Sequence, residues 1–488
     1  MGVVLPFVPE PGRPQEVPPA AHRNAAGVLA LASVFAGLGN YVYALSLTHG
    51  LSPADYTIFA GSQSLIVMVG LLGSAGVPLV LARETAVSAA DPQRLRDAVR
   101  FAFKANLALG LFASAAVGAG TLVFAPLPDA LVVAATTIVL AIGSTGLGFL
   151  QGKNRITAIA GVFAAEVLLK LAVGSILVFL AHRNVLGALL GGLAGASALL
   201  WCLSALKGHV SWRPSASIGP TELLRARSLW RATGRISLLQ IGVGLIAALD
   251  TLLIAVLTAT RAEGGVYQAA SALGKVPLFL AAAISTAVFP QLVASGRLHH
   301  RVEALLSLTL LTSFYWAALA STPPSVIRLI FSADFASVSR WLPYTAALGA
   351  GLGALNVMTT FVQSETSGRA GLSVVAVTAC AFVLCCVVAA TRWGVHGLAI
   401  AAIAATWSGV LALSGLRTER AAAVLFLRRM FSARGAVAVA SVISLTVARH
   451  HTAAWLSVAA VAGLTTVLTA FPDLGERLAR LLPRARGI

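Results

Sequence analysis

Thr157 to Ala181 reads TAIAGVFAAEVLLKLAVGSILVFLA, an apolar run interrupted by two charges, Glu166 and Lys170. A helix needs roughly 20 mostly apolar residues to cross a bilayer, so this stretch is long enough to span. The run has many counterparts in the chain. Of 488 residues, 58% are hydrophobic and only 11% are charged, with a mean hydropathy of +0.87. Soluble domains carry about a quarter charged residues. The chain therefore reads as an all-α polytopic membrane protein. Barrel strands are excluded because the apolar runs are continuous, whereas a barrel shows short segments of alternating polarity.

Hydrophobic windows predict about 14 spanning segments, near 25–48, 56–82, 101–124, 129–150, 157–181, 185–206, 235–257, 266–290, 303–322, 341–364, 370–391, 394–416, 433–448 and 453–471. The formal net charge of +18 raises the question of a nucleic-acid partner. Placement of the cations answers it. The tails, loops and adjoining segment ends on one side hold 27 Lys and Arg and the opposite loops hold 6, while Lys170 and Lys275 lie deep inside segments. Such a bias is a topology signal that places both termini in the cytoplasm. We expect contact with membrane lipids and no nucleic acid.

The proline-rich stretch 1–24 lacks the apolar region of a cleaved signal and reads as a disordered cytoplasmic tail. Cys202, Cys380, Cys385 and Cys386 fall within apolar segments without metal-ligand spacing. No HExxH, phosphate loop or GxSxG is present. No catalytic residue, metal or cofactor is expected, and the chain does not read as an enzyme.

A repeat runs through the chain. Tyr56 and Pro78 of the second segment recur as Tyr267 and Pro290 of the eighth, at offsets of 211 and 212. Phe149 and Gln151 recur as Phe361 and Gln363 at 212, and Val185 and Gly187 as Val395 and Gly397 at 210. Three alignments in the same order at nearly one offset imply two parallel six-helix bundles, 25–206 and 235–416. A basic linker, 207–234, joins them; helices 13 and 14 (417–471) and a basic tail, 472–488, follow. Repeated bundles of this kind are a hallmark of transporters.

Charges inside a bilayer cost about 2.5–3.5 kcal/mol each on insertion scales and normally face a partner or a wet cavity. Four lie deep within segments: Glu166, Lys170, Asp250 and Lys275. Glu166 and Lys170 are four apart, on one helix face, with the acid N-terminal to the base, the favourable order. Asp250 and Lys275 lie roughly 10 and 13 Å below the outer ends of a helical hairpin, within reach of each other. Each couple reads either as a self-neutralising pair or as functional groups. In the functional reading Lys170 and Lys275 present cations to an anionic substrate, and Asp250 or Glu166 takes up a coupling proton or sodium ion. Asn40, Tyr41, Tyr43, Gln63, Gln240, Gln268 and Asn356 are uncharged polar residues that either bond sugar hydroxyls or tie helices together. Pro277 is expected to kink the eighth segment beside Lys275.

Three stretches then carry a resemblance. NAAGVLALASVFAGLGNYVYALSLTHGLSPADYTIFAGSQSLIVMVGLLGSAGVPLVLARETA (24–86), FLQGKNR (149–155) and DTLLIAVLTATRAEGGVYQAASALGKVPLFLAAAISTAVFPQL (250–292) resemble polysaccharide or oligosaccharide flippases of the multidrug/oligosaccharidyl-lipid/polysaccharide (MOP) exporter superfamily. The likeness covers about 25–470. It implies a V-shaped pair of bundles around a central cavity that opens alternately to the two sides. It also implies a polyprenyl-diphosphate-linked oligosaccharide as substrate, moved to the outer leaflet of the bacterial cytoplasmic membrane for surface polysaccharide biosynthesis, with polysaccharide assembly proteins as partners. In lipid II flippases of the superfamily, cavity arginines hold the diphosphate and the last two helices form a groove for the lipid tail. Here the first two segments carry no such arginine; Arg83 sits at the cytoplasmic end of the second, which counts against a peptidoglycan precursor. The substrate-binding residues expected are Lys275, Lys170, Asn40, Gln63 and Gln268, with Asp250 and Glu166 for ion coupling.

An ion-coupled multidrug and toxin extrusion antiporter of the same superfamily is the alternative, although the first segment has no acid and two helices follow the repeat. A membrane polysaccharide polymerase or ligase is a third class, disfavoured because the longest outer loop, 323–340, carries just Arg328 and Arg340. A silent assembly scaffold is a fourth.

Overall fold

A computed structural model describes residues 35–75, 77–87, 91–182, 184–207, 242–256, 261–295, 298–364, 369–431 and 433–471. The expected N-terminal tail, most of the basic linker with Gln240, and the basic C-terminal tail lie outside the described residues. Regular structure among the described residues is helical throughout. Nine helices there are long and apolar enough to cross a membrane.

The chain divides into two compact units, residues 1–269 and 270–488. The first contains α1 (35–47), α2 (Pro53–Ala75), α3 (Val77–Val87), α4 (Pro92–Thr121), α5 (Leu127–Gly152), α6 (Ile156–Ser175), α7 (Asn184–Ser197), α8 (Gly242–Val256) and most of α9 (Arg261–Gly274). Helix starts follow local chemistry. Ser52 accepts a hydrogen bond from the Asp55 amide, and Asp91 accepts from the amides of Gln93 and Arg94. In each case a proline follows the cap, where its missing N–H costs nothing. The core between α3, α4 and α5 is built by Val77, Leu81, Leu95, Val99 and Phe149. Beneath it Arg94 on α4 clamps Glu84 on α3 at 3.0 Å.

The second unit contains α10 (Val276–Ser295), α11 (Leu298–Ala320), α12 (Pro324–Ile330), α13 (Val338–Ser364), α14 (Arg369–Ser414), α15 (Arg417–Met430), α16 (Ala433–Ala448) and α17 (Thr452–Ala470). The 46 residues of α14 would stretch about 69 Å as one rod, twice a hydrocarbon core. It is instead two helices joined at Trp393 and Gly394, the latter at φ 60° and ψ −148°, a conformation glycine adopts without a Cβ penalty. Thr378 lies against Gly409 and Ala389 against Gly397, positions nearly symmetric about the break, so the halves run antiparallel. The break falls between the expected segments 370–391 and 394–416.

Another interruption separates α9 from α10 at Lys275. Pro277 has no N–H to donate to Leu273, and the Leu273 carbonyl accepts the Tyr315 hydroxyl at 2.8 Å instead. The expected proline kink is thus present, as a helix break. Pro290, by contrast, lies within uninterrupted α10. The α16–α17 hairpin docks on α11: Ser307 bonds the Ala470 carbonyl at one end and Trp455 bonds Ser321 at the other.

Candidate functional site

The functional question centres on α1, α6 and α7. On α6 and just past its end the large exposed apolar residues Leu168 and Ile176 form a lipid-like stripe. Lys170 stands 200° from Leu168 at 100° per residue, so it points away from that stripe. On α1 the exposed residues are Phe35, Leu38 and Val42, and Asn40 faces the other way. These two inward faces meet. The Lys170 ammonium donates to Asn40 Oδ1 at 2.8 Å and sits 5.6 Å from the centroid of the Tyr43 ring. The Asn40 amide nitrogen is committed to the Ala36 carbonyl at 2.9 Å, which turns its oxygen toward the lysine.

Lys170 therefore takes Asn40, not Glu166, as its hydrogen-bond partner. Among the described residues no ion pair within 4.0 Å joins Glu166 to Lys170. The energetics permit this arrangement. A hydrogen bond to a charged group contributes about 1.5–3 kcal/mol and a cation–π contact about 0.5–2, comparable with the insertion cost of about 2.5–3.5 kcal/mol. An ammonium has three donors, and a neutral amide cancels none of its charge. Its remaining donors have capacity for an anion.

Helix α7 closes the cluster through small residues. A Cβ on Gly195 would fall 2.7 Å from the Glu166 carbonyl oxygen and 2.9 Å from Lys170 Cβ, so only a hydrogen at that position lets α7 approach α6. Three residues earlier, a Cβ on Gly192 would lie 3.3 Å from Gln63 Nε2. Residues three apart share a helix face, so Gln63 and Lys170 meet one face of α7 about 4.5 Å apart along its axis. The buried Tyr43 hydroxyl donates to the Ala188 carbonyl at 2.7 Å and pins α1 to that helix. Four expected residues, Asn40, Gln63, Glu166 and Lys170, thus come together. Tyr43 is the member that sequence reading underweighted. The Gly191, Gly192 and Gly195 spacing was the signal for a close approach at α7.

The remaining three fall elsewhere. Asp250 on α8 is completely buried; the Tyr267 hydroxyl donates to its Oδ2 at 3.1 Å. Gln268 is also buried and spends its amide on the Thr251 carbonyl at 2.9 Å, a tie between α8 and α9. Lys275 occupies the helix break in the second unit. Asn356 lies on α13, where its carbonyl accepts from Thr359 and Thr360.

Sequence reading missed a second buried charge centre. Arg301 at the start of α11 forms a hydrogen-bonded ion pair with Glu419 on α15, and its guanidinium lies 5.8 Å from the Phe361 ring centroid. Glu419 is 0% exposed. Next to it Glu303 holds both Arg429 and Arg434 at 2.6 Å. Glu303 opens the expected segment 303–322 and Glu419 lies outside the long apolar runs, where charge is unremarkable, so no local signal marked Glu419 as buried.

Comparison with known proteins gives this geometry its context. The structure superposes on a lipid II flippase, MurJ, in an inward-closed conformation with a TM-score of 0.71 and 13% identity, covering 91% of this chain and 99% of that one. It also superposes on an inward-facing multidrug resistance MATE family transporter of the MOP superfamily, with a TM-score of 0.61, 14% identity and coverage of 81% and 96%. An outward-facing form of such a transporter gives 0.53 at 15% identity, with coverage of 82% and 96%. At these identities the likeness establishes the fold. A comparison with curated protein sequences found no match. The family model described as polysaccharide biosynthesis protein matches residues 23–295, more than half of the chain, and contains every residue of the Lys170 cluster. The chain belongs to that family, a polytopic helical membrane protein of the MOP transporter fold.

Proposed function

We propose that this protein flips a polyprenyl-diphosphate-linked oligosaccharide across the cytoplasmic membrane for surface polysaccharide biosynthesis. The observation that carries the reading is the Lys170 cation, held inside a span by the neutral Asn40 amide and the Tyr43 ring and turned away from the lipid-like stripe. A diphosphate is the anion such a group recognises, and the nearby Gln63 amide suits a sugar hydroxyl. Lys275, at a helix break, adds a second cation for the same substrate. Asp250 under the Tyr267 hydroxyl, or Glu166, takes up the coupling proton or sodium ion. Two six-helix bundles related by the repeat alternate in access, with α16 and α17 appended as a lipid-side hairpin. Both termini lie in the cytoplasm, as the bias in Lys and Arg supports. Membrane lipids and polysaccharide assembly proteins are the partners.

The extrusion antiporter is the second reading, supported by the fold shared with MATE transporters. Coverage weighs against it: the lipid II flippase spans 91% of this chain and the MATE structures 81% and 82%, a gap of about two helices. An inward-turned lysine is also a poor host for cationic drugs.

The test is a reconstituted assay with defined polyprenyl-diphosphate oligosaccharides in proteoliposomes. Wild-type protein is expected to flip them and K170A to lose at least about tenfold of the rate, the worth of one charge-assisted contact. Undiminished flipping by K170A removes the lysine from the site. No flipping by wild type, alongside proton-driven export of organic cations, establishes the antiporter instead. Asp250→Asn is expected to release flipping from the ion gradient, and a variant that stays fully gradient-dependent refutes the coupling role.

A further inference from the structure

Helix α15, RTERAAAVLFLRRM, has two faces of different character. One packs inward: Ala422, Leu425, Phe426 and Met430 join Val302 and Leu306 of α11. Glu419, the helix's acid, turns the same way to meet Arg301. The opposite face carries Arg420, Ala421, Val424, Leu427 and Arg428, continued by Phe431 just past the helix end. These positions, at 0, 1, 4, 7, 8 and 11, fall on one stripe of an α-helix. Val424, Leu427 and Phe431 are 47%, 56% and 91% exposed, and both arginines are exposed. Arg429 is taken up by Glu303, so it does not belong to this face.

A row of exposed large apolar side chains flanked by cations, with no acid among them, is the composition of a helix lying in the bilayer surface. Chain connectivity puts α15 there. It follows the membrane-length second half of α14 after Gly415 and Leu416, and its axis is bent by 60° from that of α16. Between the arginines lies an open cavity of about 540 Å³ lined by Leu298, Arg420, Ala421, Val424, Leu425 and Arg428. The arginines stand eight residues apart, about 12 Å along the axis, with an apolar floor between them.

We propose that this face of α15 is a binding site for anionic phospholipid, with Arg420 and Arg428 on the headgroup phosphate and Val424, Leu427 and Phe431 against the upper acyl chain. Charge complementarity selects the occupant. Among the described residues Arg420 and Arg428 are in no ion pair, so the cavity wall complements an anion, and the apolar floor suits a chain attached to it, which a free phosphate lacks. The site is built from residues of the second unit alone and does not depend on the substrate reading.

The experiment is equilibrium binding of fluorescent phosphatidylglycerol to the full-length protein in neutral detergent, followed by anisotropy, with fluorescent phosphatidylcholine in parallel. Wild type is expected to prefer phosphatidylglycerol. R420Q/R428Q is expected to weaken it roughly 30-fold, each arginine near a surface being worth a factor of about five, and R420K/R428K to keep most of the affinity. Ala421→Glu, which sets an acid between the arginines, is expected to weaken binding as well. An unchanged thermal midpoint shows that each variant is folded, and if R420Q/R428Q fails to fold, Ala421→Glu decides. Equal binding of the two lipids, unaltered binding in the folded variants, full competition by millimolar inorganic phosphate, or displacement of phosphatidylglycerol by stoichiometric polyprenyl diphosphate each overturns the proposal.

Discussion

Two cations on apolar helices, half-buried Lys170 on α6 and buried Arg301 on α11, solve the same physical problem in opposite ways. Arg301 is neutralised by Glu419, which has no contact with solvent, and the pair is stacked against Phe361. Lys170 has an acid four residues away on its own helix yet bonds the neutral Asn40. A closed ion pair holds helices together and has no charge left to offer a ligand. An ammonium held by an amide and a ring keeps donors to offer a ligand. The first arrangement locks α15 to α11; the second is poised for an anion. The partner decides.

The contrast can be broken by measurement. The largest effect is expected from Arg301→Ala, which strands a buried carboxylate and costs about 3–5 kcal/mol, read as a fall in the thermal midpoint of the detergent-solubilised protein. The apolar replacement R301M/E419M is expected to recover nearly all of it, since a hydrophobic pair of similar volume is often neutral or stabilising. If Arg301→Ala melts no lower than K170A, the two cations are not different in kind. Next comes Gly195→Ala: its methyl must push α7 from the Glu166 carbonyl, a strain of about 1–3 kcal/mol typical of overpacking, with flipping reduced alongside stability.

K170A itself is expected to move the thermal midpoint by no more than about 1 kcal/mol equivalent, because the lost bond and the relieved burial nearly cancel. Its effect belongs to flipping, and a large loss of stability would assign Lys170 to the same class as Arg301. The smallest effect on flipping is expected for Tyr43→Phe, which removes one hydrogen bond to the Ala188 carbonyl, about 0.5–1.5 kcal/mol. It keeps the ring under Lys170, so flipping is expected to fall less than twofold.

Much of the architecture was legible in the residues. Continuous apolar runs marked the helices, and segments 433–448 and 453–471 lie within a residue of α16 and α17. The Pro277 break was also legible, because proline's missing N–H is a local fact. The rescue of Leu273 by Tyr315 was not, since it depends on a helix packed alongside. In the site, Glu166 and Lys170 stood out as charges in an apolar run, but their spacing suggested that they satisfy each other. Gln268 read either as a partner for a sugar hydroxyl or as a tie between helices, and its amide ties α8 to α9.

By itself the sequence determined that this chain is a bundle of membrane helices with a cation inside one of them, because crossing a bilayer is a property of about 20 consecutive residues. Partnership was decided only in three dimensions. Lys170 meets Asn40 across 130 residues and Arg301 meets Glu419 across 118. At such separations no periodicity links the partners, and packing chooses between an amide and a carboxylate. That choice distinguishes a charge available to a substrate from one consumed in holding the fold together.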